Sequence, residues 1–199
     1  MVAERAELTK RGRRLQYFAI FYNSLEALIS ITAGMIAGSV SLVGFGLDSV
    51  IEVTSGGAIL WRLRHESAER IALRIVGWCF LSLAAYLAFD SAMTIYRHEE
   101  AQRSIVGIAI AAVSIIVMPM LARAKRKVAA GLGSSAMHAD SRQTDFCTYL
   151  SLILLCGLLL NAAFGWWWAD PAAALAMTPI IAKEGIDALK GKQCVDCAC

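Results

Sequence analysis

Six stretches of this 199-residue chain are candidates for the roughly 20 apolar residues that a helix needs to cross a bilayer, the second, fifth and sixth being interrupted by polar residues. They run from about Leu15 to Gly38, Ser41 to Trp61, Ile71 to Tyr96, Ile105 to Leu121, Ala136 to Leu160 and Phe164 to Ala182. The chain is 58% hydrophobic and only 18% charged, with a mean hydropathy of +0.58, outside the range of an ordinary soluble domain. The expected fold class is therefore an all-α integral membrane protein with six transmembrane helices. The charged N-terminus lacks the short apolar core and small-residue cleavage site of a signal peptide. The expected organisation is a basic arm at 1–14, a six-helix membrane domain at 15–187 and a Cys-containing tail at 188–199, with no folded domain after it.

Lys and Arg in short loops set orientation. The N-terminal arm carries Arg5, Lys10, Arg11, Arg13 and Arg14; the loop after the second span carries Arg62, Arg64, Arg70 and Arg74. Arg123, Lys125, Arg126 and Lys127 follow the fourth span, and Lys183, Lys190 and Lys192 the sixth. With six spans these segments share one side, opposite only Arg97 and Arg103. Both termini are expected in the cytoplasm. Trp166, Trp167 and Trp168 then form an outer aromatic anchor and Trp61 an inner one. Pro119, Pro171 and Pro179 are expected to break or start helices near span ends. Glycines of the first two spans, such as Gly34, Gly44 and Gly46, are expected to allow close helix contacts. No internal repeat is evident.

The informative residues are the polar ones inside the apolar runs. In GLDSVIE of the second span, Asp48 and Glu52 are four apart and share a helix face. Each costs roughly 2.5–3.5 kcal/mol at mid-span depth. A structural ion pair would need a basic partner, and Arg142 is the only one evident within the spans. A bound divalent cation explains the pair better, with protons taking its place when it leaves. In the fifth span, a turn of about 100° per residue puts Asp140, Gln143, Thr144, Cys147 and Ser151 on one stripe. His138, Ser141, Arg142 and Asp145 fall on the other face, where Arg142 and Asp145 are spaced to pair. Cys147 is a candidate soft ligand and Gln143 a weaker carbonyl one; a lone Cys would otherwise be read as packing.

Asn23 and Glu26 share a face of the first span. Glu26 either lines a cation path, carries a proton, or is a neutral helix-packing donor. Asp90, Asp170 and Glu184 lie near span ends and read as solvated or capping groups. Cys79 and Cys156 read as packing residues. The C-terminal CVDCAC places Cys194, Cys197 and Cys199 close enough to capture or sense a soft metal. The plainer alternative is a tail with incidental cysteines. GLGSS at 131–135 lacks the Lys and spacing of a phosphate loop, and no Ser-His-Asp or Cys-His set is present. The chain is not expected to be an enzyme, to hold a resident cofactor or to bind nucleic acid.

NSLEALISITAGMIAGSVSLVGFGLDSVIE, SSAMHAD and WADP together resemble the membrane domain of the cation diffusion facilitator family. The resemblance spans nearly the whole chain. It implies export of a divalent metal, typically Zn²⁺, in exchange for protons, by a homodimer. Here the membrane helices would hold that dimer. It also implies a metal site in which Asp48 and Glu52 stand at the family's acidic pair. Gln143 and Cys147 stand where the fifth helix usually has His and Asp. That exchange removes a nitrogen ligand and a charge and adds sulfur, opening the site to Cd²⁺ or other softer cations. Asp140 is then a candidate for the cytoplasmic entrance. The alternative is a membrane metal sensor that transports nothing and acts through its Cys tail. A further alternative is a structural membrane protein whose carboxylates pair with Arg142 or stay protonated. The expected location is a bacterial inner membrane.

Overall fold

The computed structural model describes residues 2–62, 69–99, 101–133 and 135–190. Those residues form six helices: α1 (Val2–Ala37), α2 (Val40–Arg62), α3 (Glu69–Arg97), α4 (Ile105–Leu132), α5 (Ser135–Phe164) and α6 (Ala169–Leu189). By length and composition α1, α3, α4 and α5 each contain a stretch apolar enough to cross a membrane. The acid-bearing α2 packs against α1, α3, α5 and α6. Its carboxylates are thus covered by protein, where partners exist, instead of lipid, where none do.

The burial pattern is that of a bundle solvated by lipid. Phe21, Leu28, Ile36 and Ile105 are exposed, while Gln16, Asn23, Ser30, Ser114 and Lys125 are fully buried. Apolar packing also continues inside, through Leu42, Phe45, Leu87, Leu154 and Met177.

Local chemistry explains the helix ends. Gly38 takes a left-handed φ of 63° and reverses the chain between α1 and α2. Ser39 then caps α2, its hydroxyl accepting from the Leu42 N–H at 3.2 Å. Ser104 caps α4 through the Gly107 N–H, and Gly133, also left-handed, closes it. The short reversal lets α1 and α2 pack at glycine. A Cβ on Gly34 would lie 2.8 Å from the Val43 backbone nitrogen, and one on Gly46 2.9 Å from that of Ile31.

Several expectations change. α4 runs on through Arg123, Lys125 and Arg126 to Leu132, well beyond Leu121, so this basic stretch is helix and not loop. Pro119 and Pro179 lie inside α4 and α6 without ending them; only Pro171 sits in a first turn, where its missing N–H costs nothing. α6 begins at Ala169, not Phe164, after a turn with Gly165 at φ 66°. Beyond the main core, the extensions of α1, α4 and α5 share a small apolar cluster of Val128, Ala129 and Met137 with Leu15 and Leu132.

Asp170 also departs from expectation. It is fully buried, and its carboxylate accepts from the Ser39 and Ser41 hydroxyls, each at 2.5 Å. It sits where the N-terminal ends of α2 and α6 converge, so both helix dipoles favour its charge. Glu184 is likewise buried.

Candidate metal centre

Helical spacing on α2 and α5 builds the site. Asp48 and Glu52 lie one turn apart on α2; Gln143 and Cys147 lie one turn apart on α5. All four side chains are buried. The Cys147 thiol donates to Asp48 Oδ2 at 2.9 Å, and its sulfur lies 3.2 Å from Glu52 Oε2. The other Glu52 oxygen, Oε1, accepts from the Thr144 hydroxyl at 2.7 Å. Gln143 Oε1 accepts from Ser55 at 2.8 Å, while its Nε2 has no partner. Two carboxylates of α2 and the thiol of α5 therefore meet, while the Gln143 amide oxygen, one turn before Cys147, is held by Ser55.

The group is not a preformed metal site. Sulfur and oxygen ligands of one tetrahedral Zn²⁺ stand about 3.6 Å apart, from bonds of about 2.3 and 2.1 Å. The observed 2.9 and 3.2 Å are those of a thiol hydrogen-bonded to carboxylates. Among the described residues no group of three or more His, Cys, Asp or Glu stands in an arrangement that could hold a metal ion. Loading a cation would exchange the thiol proton for the metal and move the three ligands apart by about half an ångström.

Glu26 belongs to a neighbouring polar group. It accepts from Ser49 at 2.8 Å and, in a very close contact, from Ser114; the Tyr22 hydroxyl stands 3.3 Å away and also contacts Ser114. Asn23 is fully buried with neither amide atom partnered.

Asp140 is not an open group at an entrance. It is buried and forms an ion pair of 2.9 Å with Lys125 of α4, and Gln16 of α1 donates to the same oxygen at 2.5 Å. Lys125 also donates to the Thr144 hydroxyl at 3.0 Å. The expectation that Arg142 is the sole basic residue inside the bundle is thereby corrected: Arg142 is exposed, and among the described residues Lys125 is a buried cation. Asp145 pairs with Arg126, not with Arg142. Lys125 escaped sequence reading because its basic neighbours suggested a loop. The signal was present in the spacing of Ser114, Met118, Leu121, Lys125 and Val128, all on one buried helix face. Cys79 is half-buried and Cys156 exposed, so Cys156 lies on the outer surface of the bundle and not in its packing. Cys194, Cys197 and Cys199 lie outside the described residues.

The family model for the cation efflux transmembrane domain matches residues 17–191. The chain is 24% identical over 126 residues to a cation-efflux pump, FieF, of Shewanella oneidensis, covering 63% of this chain and 42% of that protein. It is 25% identical over 182 residues to an uncharacterized transporter of Methanocaldococcus jannaschii, covering 85% and 64% respectively. For an uncharacterized transporter of Synechocystis the identity is 23% over 164 residues, covering 75% and 52%. The chain spans about half the length of these relatives. A six-helix membrane bundle, matched over nearly its whole length, places this chain in the cation diffusion facilitator, or cation efflux, family.

Proposed function

We propose that the chain is a secondary transporter that exports a divalent cation, Zn²⁺ or a softer ion such as Cd²⁺, from the cytoplasm in exchange for protons. The observation that carries this reading is the buried contact of Cys147 with Asp48 and Glu52. Asp48 and Glu52 supply two of the negative charges that attract a dication. Cys147 supplies sulfur, which favours soft metals. Gln143 supplies a neutral oxygen once it releases Ser55.

In the cation-free state, the Cys147 hydrogen bond to Asp48 keeps the carboxylates together. Metal arriving from the cytoplasmic side displaces the thiol proton and separates the ligands. Release on the other side lets a proton return to the Cys147 sulfur and closes the group again. Exchange requires that metal and protons favour different conformations of the bundle. A homodimer joined through membrane helices is part of the same proposal. The similarity to a cation-efflux pump, FieF, supports the direction of transport.

The test is metal-driven proton movement in proteoliposomes containing the full chain, with Zn²⁺ and Cd²⁺ supplied separately. Wild type should exchange, and Asp48→Ala with Glu52→Ala should not. Undiminished exchange by that double variant would remove the site from the mechanism.

A further inference from the structure

Lys125 is a buried cation that the transport reading does not use. It lies on α4, while the candidate ligands lie on α2 and α5. Lysine has three donors and no acceptor. Its ammonium donates to Asp140 Oδ2 at 2.9 Å and to Thr144 Oγ1 at 3.0 Å. Because Thr144 accepts from Lys125, its own hydrogen points elsewhere. The nearest acceptor is Glu52 Oε1 at 2.7 Å, closer than the Asp140 backbone oxygen at 3.2 Å. The donors thus run in one direction, Lys125 to Thr144 to Glu52. The second Glu52 oxygen is left facing Cys147 at 3.2 Å. Asp140, held also by Gln16 of α1, fixes the ammonium at the head of the chain.

We propose that Lys125, held by Asp140 and acting through Thr144, is a positioning element that aims Glu52 at Cys147 and so sets the affinity of the site for its cation. The effect on affinity rests on the transport reading; the aim of Glu52 does not. Groups that orient a metal ligand typically change affinity by about 10–100-fold when removed.

Removing Lys125 alone would strand a buried carboxylate and risk the fold, so the informative variant is Lys125→Met with Asp140→Asn, which removes both charges. Two measurements separate the claims. The first is the infrared carboxylate stretching band of Glu52 in metal-free protein, assigned by its loss in Glu52→Gln. The band should shift in the Lys125→Met, Asp140→Asn variant and in Thr144→Val, and return in Thr144→Ser. The second is the concentration dependence of Zn²⁺ flux in proteoliposomes. KM should rise about 10–100-fold in the same variants with a smaller change in kcat. Adding Thr144→Val to the charge-removed variant should cost nothing more, because both act through one chain. Lys125→Arg should retain wild-type KM within a few-fold.

An unmoved Glu52 band in a folded charge-removed variant would overturn the inference, even if wild type transports metal. A shifted band in a wild type that transports nothing would leave the positioning intact and remove the transport reading. A shifted band with unchanged KM would overturn the claim on affinity.

Discussion

Replacing Cys147 by Asp tests the chemistry of the site from its own geometry. The Cys147 sulfur sits 2.9 and 3.2 Å from oxygens of Asp48 and Glu52. A third carboxylate there, at about 3 Å from each neighbour, would add about 5 kcal/mol per ionised pair at an effective dielectric of 20. Two such pairs rival the whole stability of a typical domain, about 5–15 kcal/mol. The variant therefore cannot hold three bare charges and must take up a proton or a metal. Saturating metal at 100 times its dissociation constant would return about 2.7 kcal/mol. The substitution also removes the soft ligand, so preference for Cd²⁺ over Zn²⁺ should fall at least about tenfold, which is 1.4 kcal/mol. The assays are thermal unfolding in detergent with and without each metal, and competition of the two ions for flux in proteoliposomes. Zn²⁺ should raise the Tm of Cys147→Asp by more than it raises that of wild type. An unchanged metal preference together with an unchanged Tm response would refute Cys147 as a ligand.

Three further outcomes follow from packing and charge. Asp170→Ala strands the Ser39 and Ser41 hydroxyls at the junction of α2 and α6, and should cost about 2–3 kcal/mol in unfolding measurements in detergent. Gly46→Ala puts a Cβ 2.7 Å from Ile31 Cγ1 and 2.9 Å from its backbone nitrogen, and should lower stability by about 1–3 kcal/mol in the same assay. Arg126→Ala breaks only a partly exposed pair with Asp145 and should change stability by less than about 1 kcal/mol, leaving flux near wild type.

Helical periodicity made some of this organisation legible in advance. The four-residue spacing of Asp48 and Glu52, and the stripe through Gln143, Thr144 and Cys147, are local properties of α2 and α5. They need no knowledge of which helices touch. The partners of those residues are another matter. That Thr144 meets Glu52, or Ser55 meets Gln143, depends on the packing of two helices about 90 residues apart in sequence. Asp170 read as a span-end group because its acceptor role depends on two serines 129 and 131 residues away. Lys125 was hidden for a different reason. Charge density around Arg123–Lys127 suggested a loop, yet one lysine in that run faces inward while its neighbours Arg123 and Arg126 stay outside. Pro119 misled similarly, since a long helix supported by neighbours tolerates a proline that would end a short one.

Zn²⁺ and Cd²⁺ binding by calorimetry to detergent-purified full chain in which Cys194, Cys197 and Cys199 are serine isolates the intramembrane group. Removing the tail thiols leaves Asp48, Glu52, Cys147 and Gln143 as the site under test. Saturable binding of one metal per chain, lost in Asp48→Asn with Glu52→Gln, is the predicted result. Equal binding before and after those two substitutions would exclude Asp48 and Glu52 as metal ligands.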